Sequence, residues 1–125
     1  NLFLKNKKNS FFLFSCDEKA QVDLKQFSKS IEGKNLSFAK EEYLDKYLQI
    51  KPGSVSPFAL LNDTENEVKF YLDEKLAKSK LINFHPLINT TTISLKTNDF
   101  ISFMVENNKK INIFSLKSYS VVETL

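Results

Sequence analysis

The sequence has no tryptophan and no arginine, one cysteine, one histidine, two glycines and three prolines in 125 residues. Each scarcity excludes something. A lone Cys16 rules out an internal disulfide and fits a reducing compartment. One cysteine and one histidine, His85, argue against a zinc site built from several such ligands, so neither metal nor cofactor is expected. No apolar run approaches the ~18 residues of a membrane span, and no secretory pattern opens the chain, so a cytoplasmic location without a membrane partner is expected. All 18 basic residues are lysines. With asparagine and isoleucine plentiful, codon bias in an A+T-rich genome accounts for that.

What is present is apolar and phenylalanine-rich. Hydrophobic residues make up 42%, twelve of them Phe, enough for a real core in one domain over residues 1–125. The net charge of +3 is compatible with a phosphate-bearing partner but says little alone. The chain opens at Asn1, without methionine and already inside a strand-like run, so the native protein is expected to begin further upstream.

Leu2–Leu4 and Phe11–Phe14 flank the polar segment KNKKNS and read as a hairpin or neighbouring strands with a basic connection. Asp23 predicts a helix cap, with Gln26 three residues on, Val22 stapling against Phe27, and Leu24, Phe27 and Ile31 on the apolar face before Gly33. A second helix is predicted over Lys40–Leu48. Val68–Leu72 reads as a strand, DEKLAKSK as a short helix or turn, Leu81–Phe84 as a strand and Thr90–Leu95 as extended. Thr97 or Asn98 is expected to cap a last helix in which Phe100, Phe103 and Met104 lie together. Ile111–Phe114 is expected as the closing strand, with the tail after Ser118 unassigned. Hairpin-like and crossover connections together place the chain in the α+β (mixed α/β) class.

Two stretches stand out. KPGSVSPFALLND, Lys51 to Asp63, gathers Pro52, Gly53 and Pro57 within six residues, although the chain is otherwise sparing with both residue types. A turn between helices needs less constraint than that; a backbone facing a ligand needs more. LINFHPLINTTTISL, Leu81 to Leu95, sets His85-Pro86 at a strand end with Asn89 and three threonines nearby. His85 reads either as a satisfied turn histidine or as part of a polar site. Ser54 and Ser56 lack the context of a nucleophile elbow and read as turn residues. Cys16 reads as a small buried hydrophobe. Lys5, Lys7 and Lys8 form either a solvated turn or a phosphate contact.

Taken together, NLFLKNKK, LSFAKEEYLDKYLQIKPGSVSPFALLND and FHPLINTTTISL resemble the YbaK-type editing domains, in particular the prolyl-tRNA editing branch. Gly53 to Pro57 matches that family's GxxxP loop, and His85 stands in its FHPL context. The resemblance runs over nearly the full chain. It implies a mixed β-sheet or partial barrel with flanking helices, and hydrolysis of alanine wrongly esterified to proline tRNA. Such an error arises because a smaller apolar side chain is rejected by only ~1–3 kcal/mol per methylene, so a second, hydrolytic sieve is needed.

The resemblance also implies a metal-free reaction assisted by the substrate's own ribose hydroxyl. The loop's backbone then does the positioning. Gly53 and His85 take the catalytic positions. Asn1, Ser54, Val55, Ser56, Pro57 and Phe58 line the substrate, with Asn62, Pro86 and Asn89 lining or bracing the pocket. On the phosphate reading of their charge run, and not from the resemblance, Lys5, Lys7 and Lys8 are expected to meet tRNA phosphates. The implied partners are the acceptor end of mischarged proline tRNA and prolyl-tRNA synthetase. Two departures are visible: the family's lysine just before the NLFLK strand would precede Asn1, and Asn83 stands where relatives often carry glycine. Deacylation of another small residue (cysteine or serine), a non-catalytic tRNA- or synthetase-binding module, and an unrelated α+β binding domain are the alternatives.

Overall fold

The computed structural model of the protein describes residues 1–17, 19–31, 35–51, 55–84 and 93–125. Strands β1 (Leu2–Lys5) and β2 (Phe11–Ser15) form the expected antiparallel hairpin, Leu2 opposite Phe14 and Lys5 opposite Phe11. Buried Asn6 organises the turn between them, its Oδ1 accepting from the backbone N–H of Lys8 at 3.0 Å and of Ser10 at 2.9 Å. β2 is buried on both faces: Phe11 and Leu13 join one core, Phe12 and Phe14 the other. That explains why it reads as an unbroken apolar run and not as an alternating one.

Helix α1 (Leu24–Ser30) starts at Asp23, whose carboxylate accepts from the N–H of Lys25 (3.0 Å) and Gln26 (3.3 Å). The reciprocal half of the capping box is absent, because the Asp23 N–H donates to the Tyr119 hydroxyl at 3.1 Å. Val22, Leu24 and Ile31 pack around Phe27 as expected, and Ile31 is the C-cap; Gly33 lies outside the described residues. The two-residue strand β3 (Ser37–Phe38), which carries no sequence signal of its own, pairs with β1.

The predicted helix over Lys40–Leu48 is instead α2 (Glu41–Tyr43) running into a π-helical turn, Leu44–Leu48, which ends at Gln49 with φ 55°. A 3₁₀ helix, Pro57–Asn62, follows. Strand β4 (Val68–Asp73) leads directly into α3 (Glu74–Ala77), capped by Asp73 through the Lys75 N–H. β5 (Leu81–Phe84) and β6 (Ile93–Lys96) form a separate antiparallel ribbon. Of the predicted extended run, Thr90 to Thr92 lie outside the described residues.

Helix α4 (Thr97–Glu106) corrects the expected cap. Lys96 occupies the cap position without a side-chain bond, because β6 runs into the helix with no loop and the Thr97 N–H is held by the Lys80 carbonyl at 3.0 Å. Phe100 and Met104 are buried, whereas Phe103 stays 40% exposed. β7 (Ile111–Ser115) is not the last strand: β8 (Ser120–Thr124) pairs with it antiparallel, with an irregularity at Ile113/Phe114.

The main sheet has the order β3-β1-β2-β4-β7-β8, with β2, β4 and β7 parallel and the outer pairings antiparallel. The α+β class with a mixed sheet is therefore as expected, and the sheet is open, not closed into a barrel. One face buries Leu13, Phe70, Leu72 and Ile113 against Leu48, Leu60, Ile82, Phe100 and Met104. The other buries Phe14, Tyr71 and Phe114 around Phe27. Phe27 meets Tyr71 and Phe114 edge-on, at 5.5 and 4.8 Å between ring centroids, a geometry that adds ~0.5–1.5 kcal/mol per pair beyond area burial.

The glycine shortage has a structural counterpart. Asn9, Asn35, Asn66 and Asn108 adopt φ values of 60°, 56°, 53° and 63°, the left-handed region where glycine is the usual occupant. Asparagine is the side chain that tolerates it next best, so its abundance supplies the turns that glycine does not.

Candidate functional site

Of the GxxxP segment, Val55, Ser56 and Pro57 are described; Pro52, Gly53 and Ser54 lie outside the described residues, as do His85, Pro86 and Asn89. The flanks of both stretches are nevertheless fixed. Asn1 Nδ2 donates to the Val55 carbonyl at 3.0 Å, while Asn1 Oδ1 accepts from the Ser15 hydroxyl. One side chain thus ties the start of β1 to the end of β2 and to the loop.

Ser56 is fully buried and its Oγ accepts from the Phe58 N–H at 3.3 Å, capping the 3₁₀ helix. Pro57 takes the first position of that helix, where a missing N–H costs nothing and a fixed φ helps. The Phe58 ring then stands perpendicular to those of Phe84 and Phe100, at 6.0 and 5.7 Å. Phe84 is the residue before His85. The exit of one unusual stretch and the entry of the other are therefore held against each other by a ring contact. Asn62 braces the same region from behind, its Nδ2 donating to the Leu48 carbonyl at 2.8 Å, where the π-helical turn ends.

Asn1, Val55 and Phe58 are thus brought together with the strand leading to His85. Ser56 and Asn62 spend their side chains on the loop's shape. Lys5, Lys7 and Lys8 are at the far end of β1, about 13 Å from Asn1 at ~3.3 Å per strand residue, and do not join this group. Asn83, on the exposed side of β5, bonds Ser94 across the ribbon.

The model of the aminoacyl-tRNA editing domain matches residues 1–103, more than half of the chain. The chain belongs to the aminoacyl-tRNA editing domain family. It is 34% identical over 117 residues to the prolyl-tRNA editing protein ProX of Acetoanaerobium sticklandii, covering 93% of this chain and 71% of that one. It is also 34% identical over 108 residues to the prolyl-tRNA synthetase associated domain-containing protein 1 of Danio rerio, but spans only 59% of that relative's length and 85% of its own. A solved structure of a candidate trans-editing enzyme for prolyl tRNA synthetase superposes with a TM-score of 0.67 over 90% of this chain and 66% of the other; at 17% identity it shows the shared fold.

The editing domain also carries polar groups that the sequence did not single out. Ser15, Asp73 and Ser115 end the parallel strands β2, β4 and β7, and all three are buried. A cleft of about 560 Å³ runs past this end, bordered by Asp17, Asp73, Glu74, Lys75, Lys78 and Lys117. Carboxyl ends of parallel strands, where the sheet changes direction, are where open sheets bind ligands, and the Asn1–Ser15 contact lies at the same edge. Burial pushes the Asp73 carboxyl up from its ordinary value, against the Lys75 N–H and charge. Burial also pushes the Cys16 thiol up, which favours the unreactive form. No sequence signal marked this edge, because it exists only once β2, β4 and β7 are known to be parallel.

Proposed function

We propose that the editing domain, acting over residues 1–125 as one unit, hydrolyses the ester that joins alanine to proline tRNA. The reading is supported by family membership and by the names its relatives carry: a prolyl-tRNA editing protein and a prolyl-tRNA synthetase associated domain. The observation that carries it is the Phe58–Phe84 ring contact, which joins the flanks of the GxxxP and FHPL segments. In this reaction water adds to the acyl carbon, the ester C–O bond breaks, the ribose hydroxyl is restored, and alanine leaves as the free amino acid. The family resemblance assigns the catalytic roles to Gly53 and His85. The 53–57 backbone positions the ester and the water, and the neighbouring ribose hydroxyl assists.

The partner is the acceptor end of mischarged proline tRNA, presented in the cytoplasm by or after prolyl-tRNA synthetase. Selectivity then lies in a pocket that admits alanine and is too small for proline. The test is incubation of the protein with proline tRNA carrying labelled alanine, cysteine, serine or proline. Release of alanine with retention of proline is expected. Release of cysteine or serine in its place would move the substrate within the class. Release of proline at the same rate, or of nothing, would refute the reading.

A further inference from the structure

We propose that the groove between the β1–β2 turn and α1 is an RNA-backbone docking surface, which holds the tRNA body while its acceptor end is processed at the other end of β1. The inference rests on the editing reading for the identity of the RNA. A groove of about 1170 Å³ is bordered by Lys5, Lys7 and Lys8 from the hairpin and by Lys25 and Lys29 from α1. No Asp or Glu is among its described lining residues. The whole chain carries only +3, so the remainder of the protein is net negative; a smaller described cleft beside Lys69, Lys109 and Lys110 is likewise free of acidic residues, but the groove at the β1–β2 turn gathers more lysines. A polyanion is the partner that such a distribution attracts and orients.

The groove is preformed. Buried Asn6 fixes the turn that displays Lys7 and Lys8, whereas the Lys5 ammonium sits 5.4 Å from the centre of the Tyr43 ring, on the sheet face away from α1, so Lys5 borders the groove without aiming its charge into it. Lysines on a fixed turn lose less freedom on binding than lysines on a mobile arm. Ser28, Asn35 and Ser37 add hydroxyl and amide groups of the kind that contact phosphate and sugar. The ~13 Å from Asn1 to Lys5 along β1 is a span that a few nucleotides of one strand cover. A backbone leaving the Asn1 end can therefore run into the groove.

The test measures the affinity of the intact chain for uncharged proline tRNA across a KCl series. Lys25→Gln with Lys29→Gln is compared with Lys80→Gln plus Lys110→Gln, two exposed lysines outside the groove, after thermal melts show that both fold. The groove pair is expected to lower the slope of log K against log salt by about 1.5–2, and the control pair to leave it unchanged. Lys25→Arg with Lys29→Arg is expected to restore it. Equal losses in both pairs, or no loss in the groove pair, would overturn the proposal. Release of alanine from whole mischarged proline tRNA is a separate readout. Its absence in the unaltered chain refutes the editing reading, while the salt slope on uncharged tRNA still decides the groove.

Discussion

Replacing Phe58 by leucine separates the role of the loop from the stability of the core. Phe58 is half-buried, with rings at 6.0 Å (Phe84), 5.7 Å (Phe100) and 6.2 Å (Phe103). Leucine keeps most of the apolar bulk but loses the two perpendicular ring contacts, each worth ~0.5–1.5 kcal/mol, so unfolding free energy should fall by about 1–3 kcal/mol. The domain should survive that loss, since small domains hold ~5–15 kcal/mol. Deacylation should suffer more than stability predicts. The Phe58–Phe84 contact joins the flanks of the two segments proposed as catalytic, and on that proposal a displacement near 1 Å can cost ~100-fold. Urea melts and single-turnover release of alanine from proline tRNA, with protein well in excess, provide the two numbers. A variant that loses stability yet retains full turnover would refute the claim that this contact aligns the site.

Two further outcomes follow from the described structure. Asn9→Ala should cost about 1–2 kcal/mol, because alanine lacks the tolerance for φ near 60° that asparagine has, while Asn9→Gly should not; paired thermal melts check this. Asp73→Asn keeps a cap for α3 but removes a carboxyl whose folded pKa burial has raised. Between the ordinary carboxylate value and that raised value the folded state holds more protons than the unfolded one, so the wild type loses stability as pH rises through the window. The variant should therefore melt higher than wild type at neutral pH and lose that advantage below about pH 3.9. A lower melting temperature at neutral pH would show that the charge of Asp73 is needed.

Legibility in the sequence followed local physics. The β1–β2 hairpin, the Asp23 cap, β4, α3 and β5 could be read because each is set by neighbours in sequence: alternating or continuous apolar runs, and short polar caps. The parallel pairing of β2 with β4 and of β4 with β7 could not, since their partners are more than fifty and about forty residues apart. β8 was missed for a different reason. Val121 and Val122 are consecutive and both exposed, so this edge strand shows no apolar stripe, and its pairing comes from β7. The cap of α4 was misplaced because Thr97 looks like a capping residue, yet the β5–β6 ribbon holds its backbone. At the candidate site, composition exposed the Pro52–Gly53–Pro57 cluster and the resemblance gave it meaning. Asn1 bridging Ser15 and Val55 needs the fold.

Strand β1 gives the two proposed sites different duties. The groove at the Lys5 end is proposed to meet phosphates, which are the same whether the tRNA carries alanine or proline. Contacts of that kind bind the substrate and its transition state alike, so they lower KM for both esters and cannot choose between them. Choice must arise at the Asn1 end, where the acyl group differs. Rejecting a larger side chain by crowding a stiff backbone does not depend on screening, whereas phosphate contacts do. Raising the salt concentration should therefore weaken kcat/KM for alanine release from whole tRNA while leaving the ratio of alanine to proline release unchanged. A ratio that collapses with salt would mean that the lysines take part in selection, and that binding and choice are not divided along the strand.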